Sequence, residues 1–287
     1  MLRTTNMIEK EIQKFINEYN NKSDDFFSGL SPFELHQMIY YPFEEKCPIV
    51  IRESIDDAIL NQIPFFRLCE TFLKLLERDV FVKLTPLGAL PKKVIVELYN
   101  YKYITVPIIE SGFSKLTREH DSIAIQNTRY VCELSGLIKK RDGKLSLTKK
   151  GKRFINNRNA FFKLVFTTFS TRFNWSFNDG FVDQPIAQHG NLYTLFLLLQ
   201  YGKHPRLTRF YADKYVFVFK DFIKFFNDFE YKTAEKQLLR CYEIRSFERF
   251  TNWFGLTITC EKKYDESNII QATILIDKIL EYIPQKG

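Results

Sequence analysis

The sequence is poor in the residues from which enzyme signatures are built. It holds 11 glycines and 4 histidines in 287 residues. No GxGxxG, GxxxxGK(S/T) or GxSxG run occurs, so neither a phosphate-cradling loop nor a nucleophile elbow is expected. The five cysteines (Cys47, Cys69, Cys132, Cys241 and Cys260) are scattered. With no CxxC or Cys/His spacing they indicate no zinc site, and they read as free thiols in a reducing cytoplasm. No stretch of 18 apolar residues is present, which excludes an obvious helical membrane span. The opening MLRTTNMIEKEIQKF is polar and helix-like rather than a signal peptide. These absences point to a cytoplasmic, non-enzymatic chain with no cofactor and no metal.

Phenylalanine and localised positive charge are abundant instead. There are 29 Phe among 45% apolar residues. Most fall in rows with helical spacing, where aromatic rings fill wide gaps between helices. Between residues 139 and 172 there are eleven Lys and Arg and one acid, Asp142. That is a local charge of +10 within a net charge of +8, so the remainder sums to −2. A field of this kind attracts phosphates; it is also what a solvated helix face looks like.

The basic segment has a recognisable order. GLIKKRDGKLSLTKKGKRFI, residues 136–155, reads as a helix end at Gly136, a hairpin turning at Asp142-Gly143, and a new helix capped by Thr148. Upstream, FLKLLERDVFVKLTPLGALPKKVIV repeats the pattern, with Leu84-Thr85 and Gly88 matching Leu147-Thr148 and Gly151. There Thr85 is placed as an N-cap and Pro86 at the first helical position. A looser third copy begins with a helix at 247–254 and Gly255-Leu256. Strands LTITCEKKY and IIQATILI follow around a DESN turn, then a last helix over 277–282.

Elsewhere the spacing predicts helices over 7–21, from Ser31-Pro32 to before Pro42, over 54–61 capped by Ser54, and over 64–76, 92–101 and 122–135. Others are expected over 160–173, from Leu192 to a Gly202 C-terminal stop, and over 207–227 and 231–243. The expected fold is therefore mainly α with short β-hairpins, arranged as tandem winged-helix-like modules, two and possibly three. The expected parts are 1–105, with the first module, 106–175, with the basic module, and 190–287, ending in the third hairpin.

Residues GLIKKRDGKLSLTKKGKRF resemble the wing of bacterial winged-helix regulators, a likeness that covers about residues 116–156. VKLTPLGALPKKVIVELY, the wing segment and FNWSFNDGF, in that order, resemble an uncharacterised bacterial region. That region is associated with proteins carrying SEC-C-type zinc motifs or plasmid open-reading-frame domains, and the likeness spans roughly residues 30–215. This chain has no SEC-C cysteine cluster, so no metal role carries over. The family implies no known activity.

If the basic copy binds double-stranded DNA, residues 121–135 form its recognition helix. Ile123, Val131 and Leu134 would then face the core, leaving Gln126, Asn127, Arg129 and Tyr130 for base edges or phosphates. Lys139, Lys140, Arg141 and Lys144 would straddle the backbone, and Lys149, Lys150, Lys152 and Arg153 would open the next helix. Glu119, Asp121 and Glu133 count against this, because acids repel phosphates. A winged module can instead serve protein interaction or scaffolding. A weaker alternative places a hydrolase or metal site in the region holding Asn174, Trp175, Asp179, Asp183, His189 and His204, around Asp179 and His189. His36 and His120 stand alone.

Overall fold

A computed structural model describes residues 2–261 and 267–286. The chain begins with α1 (Leu2–Asn20), α2 (Pro32–Tyr40) and β1 (Ile49–Ile51). Then come α3 (Asp57–Leu60), α4 (Pro64–Asp79), β2 (Val82–Lys83), α5 (Lys92–Asn100) and α6 (Pro107–Glu110). A 3-10 turn (Glu119–Asp121) leads into α7 (Ile123–Leu134), β3 (Ile138–Arg141), β4 (Lys144–Leu147), α8 (Lys149–Ile155) and α9 (Arg158–Thr171). The remainder is α10 (Asn191–Tyr201), β5 (Arg206–Leu207), α11 (Thr208–Val218), α12 (Ala234–Glu243), a π-helical stretch (Ile244–Thr251), β6 (Thr257–Glu261), β7 (Ile269–Ala272), α13 (Ile274–Ile279) and β8 (Leu280–Tyr282). The fold is mainly α with small antiparallel sheets.

Local signals set most helix starts. Ser31 caps α2 through a reciprocal box with Glu34, and Pro32 occupies the first turn. Pro64 likewise occupies the first turn of α4, which has no side-chain cap. Thr148 caps α8 by accepting from Gly151 N at 2.9 Å, while its hydroxyl donates to the Gly136 and Leu137 carbonyls at 2.7 and 3.1 Å. Gly151 lies against the Leu137 carbonyl so closely that a Cβ there would stand 2.1 Å from it. Thr148→Ala removes the cap and this tie together. It is expected to cost about 1–2 kcal/mol, read as a lowered urea midpoint with an unchanged m-value.

Contacts divide the chain into two compact units. One is Glu53–Asp183 with Phe247–Thr257; the other is Met1–Arg52, Gln184–Ser246 and Ile258–Gly287. The expected boundary at 105/106 is not among these divisions, because strand pairing crosses it. Val82–Lys83 forms no hairpin of its own. It pairs antiparallel with β4, Val82 opposite Leu145 and Lys83 opposite Lys144, giving the sheet order β2-β4-β3. The first two sequence copies are thus strands of one sheet. Thr85 caps no helix either: its hydroxyl accepts from Ala89 N in a turn, and α5 begins only after Pro91.

The core of this first unit is aromatic. Phe65, Phe66, Phe161, Phe162, Phe166 and Phe169 are buried, and Phe250 and Phe254 of the returning segment pack among them. The phenylalanine excess is core material here.

The element order from α4 to β4 recurs later in the chain, from α10 to β7. A helix (α10), a short strand (β5), two helices (α11, α12) and two strands (β6, β7) give the sheet order β5-β7-β6, which is again first-third-second. The third copy, whose helix end lies in the Phe247–Thr257 segment of the first unit, also matches in detail. Gly136 and Gly255 are both left-handed, at φ 71° and 69°. Leu137 N donates to Cys132 O and Leu256 N to Thr251 O, the same five-residue closure of a helix end. Thr273 caps α13 after β7 as Thr148 caps α8 after β4.

Several boundaries differ from expectation. The second strand of the third copy stops at Ala272, because Thr273 starts α13; the chain then continues into β8, which pairs with β1. Part of the expected DESN turn lies outside the described residues. Asp56 rather than Ser54 precedes α3. Gly202 is right-handed, not left-handed; it is needed because a Cβ would stand 2.6 Å from the Ala272 Cβ. The expected 207–227 helix ends at Val218 and continues as a 3-10 segment, Lys220–Phe225.

Candidate nucleic-acid interface

Helix α7 is buried around more than half its circumference. Val131 faces the core as expected, whereas Leu134 is exposed and Ile123 half-buried. Asn127 and Arg129, expected at the interface, are only 1% and 5% exposed. Arg129 donates from Nε to Glu119 Oε1 at 2.6 Å and from Nη1 to the Gly88 carbonyl at 3.1 Å. Glu119 is itself buried and also accepts from Leu90 N at 2.8 Å. This pair ties α7 to the turn between β2 and α5, so Arg129 is a structural residue.

Gln126 and Tyr130 do point outward, but they are half-covered. Asn178 Nδ2 donates to Gln126 Oε1 at 2.7 Å, and the Phe177 ring meets the Tyr130 ring edge-on with centroids 5.0 Å apart. Arg249 holds this cover by donating to the Phe177 and Asn178 carbonyls at 3.3 and 2.9 Å. The buried Trp175 anchors the loop through Nε1 to the Phe169 carbonyl at 2.8 Å.

The strands present a different surface. Ile138, Leu145 and Leu147 are buried, as is Val82. Because successive side chains alternate, Lys83, Lys139, Arg141, Lys144 and Ser146 share the opposite, outward face. The pairing register puts Lys83 beside Lys144 and Lys144 beside Arg141, with Lys139 beside Ser146. Three cations therefore form a row across three strands, about 10 Å long at the usual strand spacing. Lys144 Nζ also lies 4.3 Å from the centroid of the half-exposed Phe81 ring. Asp142, at the turn, pairs with Arg141 at 3.4 Å, both largely exposed to solvent. Asp142 and Gly143 have φ of 49° and 68°, as a tight hairpin turn demands.

No protein-family model, curated protein or solved structure matches this chain. The candidate site is therefore defined by its own geometry.

Of the remaining expected contacts, Lys140, Lys149, Lys152 and Arg153 are exposed. Lys150 is half-buried and donates to the Ser135 carbonyl at 2.8 Å. Arg158, part of the +10 segment, is bound to Glu70 and Asp57 at 2.8 Å each. Lys83 was not among the expected residues, although the alternation in VFVKL carries the signal.

Glu133 sits at the edge of this surface. Burial holds its carboxyl above the ordinary carboxylate range, against the opposing pull of Arg129 and Lys140. The folded state therefore binds this proton more tightly than the unfolded chain. The associated stability is present at low pH and fades as pH rises through the raised value. Glu133→Gln should remove that slope from a stability–pH profile. It should also strengthen polyanion binding a few-fold by removing a nearby negative charge.

The residues of the alternative site are accounted for locally. Asp183 accepts from Asn174 at 3.0 Å and from Ser176, and Asp179 accepts from Phe181 N at 2.9 Å. Asp179 belongs to one compact unit and His189 to the other. Among the described residues, no group of three or more His, Cys, Asp and Glu is placed to hold a metal ion. No helix among them is long and apolar enough to cross a membrane.

Proposed function

We propose that the protein binds the phosphate backbone of nucleic acid, double-stranded DNA first, through the outward face of the β2-β4-β3 sheet. The exposed Lys149, Lys152 and Arg153 of α8 extend that surface. The observation that carries this reading is the row Lys83, Lys144 and Arg141 in direct register, with Lys139 next along β3. Like charges opposite one another destabilise a sheet. A polyanion laid across them reverses the sign of that interaction.

The topology supports reading the module as a winged helix. Helix, strand, two helices and a hairpin, with sheet order first-third-second, is the arrangement in which β3 and β4 form the wing and α7 takes the recognition position. The recurrence of this order from α10 to β7 supports a tandem pair. In this reading the wing does the binding. With Gln126 and Tyr130 half-covered and Asn127 and Arg129 buried, α7 offers little to base edges, so contact falls on phosphates.

Sequence-independent binding follows. Unrelated duplexes of equal length, titrated at low salt by fluorescence anisotropy, are expected to bind within a few-fold of one another. A preference above about tenfold for one sequence contradicts backbone-only contact. No binding to any duplex at low salt overturns the proposal and leaves the protein-interaction reading in its place.

A further inference from the structure

In the unit that contains Gln184–Ser246, one short loop is clamped by two buried side chains. Arg245 donates from Nη1 to the carbonyls of Gln184 and Ile186 at 2.6 and 3.2 Å. The Tyr215 hydroxyl accepts from Ala187 N and donates to the His189 carbonyl, each at 2.9 Å. Both side chains are essentially inaccessible to solvent, and burying such groups is costly unless they are hydrogen-bonded. Here those bonds fix four backbone groups between residues 184 and 189. Gly190 comes next, with φ 81°; a Cβ there would stand 2.3 Å from the Phe219 ring, so glycine lets that ring lie against the backbone.

The clamped loop presents His189. Its ring meets those of Tyr40, Phe219 and Phe222 nearly edge-on, at centroid distances of 6.0, 5.6 and 6.1 Å. Burial draws its imidazole below the ordinary histidine value, which keeps it neutral at pH 7. Beside it opens a cleft of about 380 Å³, with Phe219, Phe222 and Phe225 among its walls and Lys220 and Lys224 also lining it. Asp221 is the one acid in that lining. The volume lies in the range that takes small ligands, and apolar walls with a few polar groups are what such sites use.

We propose that this cleft binds a small amphipathic anion. A ring or short alkyl chain would lie among Phe219, Phe222 and Phe225. Its carboxylate or equivalent group would meet Lys220 and Lys224, with His189 as hydrogen-bond partner. The site is independent of the basic sheet and does not rest on nucleic-acid binding.

The test uses the full chain with three probes: 1-naphthoate, decanoate and the neutral 1-naphthamide. Calorimetry is expected to give saturable 1:1 binding of the carboxylates with a Kd below about 1 mM. The ring signals of His189 should shift on binding. Phe222→Ala should weaken both carboxylates at least about tenfold. The double variant Lys220→Ala/Lys224→Ala should weaken the carboxylates while leaving the naphthamide unchanged; both lysines are exposed, so this variant keeps the fold. No saturable binding by any probe, or binding that neither variant alters, overturns the proposal. Naphthamide binding as tightly as naphthoate overturns its anionic part.

Discussion

Replacing Lys83, Lys139, Arg141 and Lys144 together by alanine is expected to weaken duplex binding about 100-fold at 50 mM salt. By counterion release, four lost phosphate contacts flatten the log–log salt slope by about 3.6, so the loss at 50 mM is at least that large and shrinks as salt rises. All four side chains are exposed on the sheet, and none is a buried partner of another element. The variant should therefore fold, and relief of the like-charged row should leave it no less stable. The control removes the same charge elsewhere, as in Lys10, Lys14, Lys22 and Lys46 to alanine, and is expected to change affinity only a few-fold. Equal losses in both variants would mean that net charge, not the sheet face, governs binding.

Arg129→Ala is expected to be among the most damaging single substitutions in the chain, at about 3–5 kcal/mol. It would strand the buried Glu119 carboxylate, lose the bond to the Gly88 carbonyl and release α7 from the β2–α5 turn. A urea titration reads the loss directly. Gln126→Ala, one helical turn away on the half-covered face, should fall within about 0.5 kcal/mol of the parent. The double variant Arg129→Met/Glu119→Gln should cost less than the sum of its parts, because no unpaired charge remains buried. An Arg129→Ala protein of unchanged stability but reduced DNA affinity would restore Arg129 to the interface and contradict the buried-pair account.

Local and distant contacts differ in how far the sequence discloses them. Ser31-Pro32, Pro64 and Thr148 act within one helical turn, so those helix starts are legible from neighbouring residues. The hairpin at Asp142-Gly143 is equally local. Pairing of β2 with β4 is not, because more than sixty residues separate Lys83 from Lys144. VKLT and LSLT look like copies of one motif because both are strands with the same buried alternation. That they lie side by side in one sheet follows only from the fold. Alternation in VFVKL turns Lys83 outward, but only the pairing with β4 sets it beside Lys144.

The burial of Arg129 depends on Glu119, across a turn, and on Gly88, far earlier in the chain. A helical wheel placing Gln126, Asn127, Arg129 and Tyr130 on one polar face could not separate the two that turn inward. The residues around Asp179, which fall between the expected parts 106–175 and 190–287, supply Phe177 and Asn178 as the cover on α7. Their anchor, Arg249, lies some seventy residues later.

The most direct test of the central claim is the salt dependence of duplex affinity between 50 and 200 mM, measured for the parent and for the fourfold alanine variant. A variant slope shallower than the parent's by about 3 to 4, leaving only the share of the α8 cations, is the predicted result. A slope that is the same in parent and variant, or a parent that does not bind at 50 mM, would contradict it.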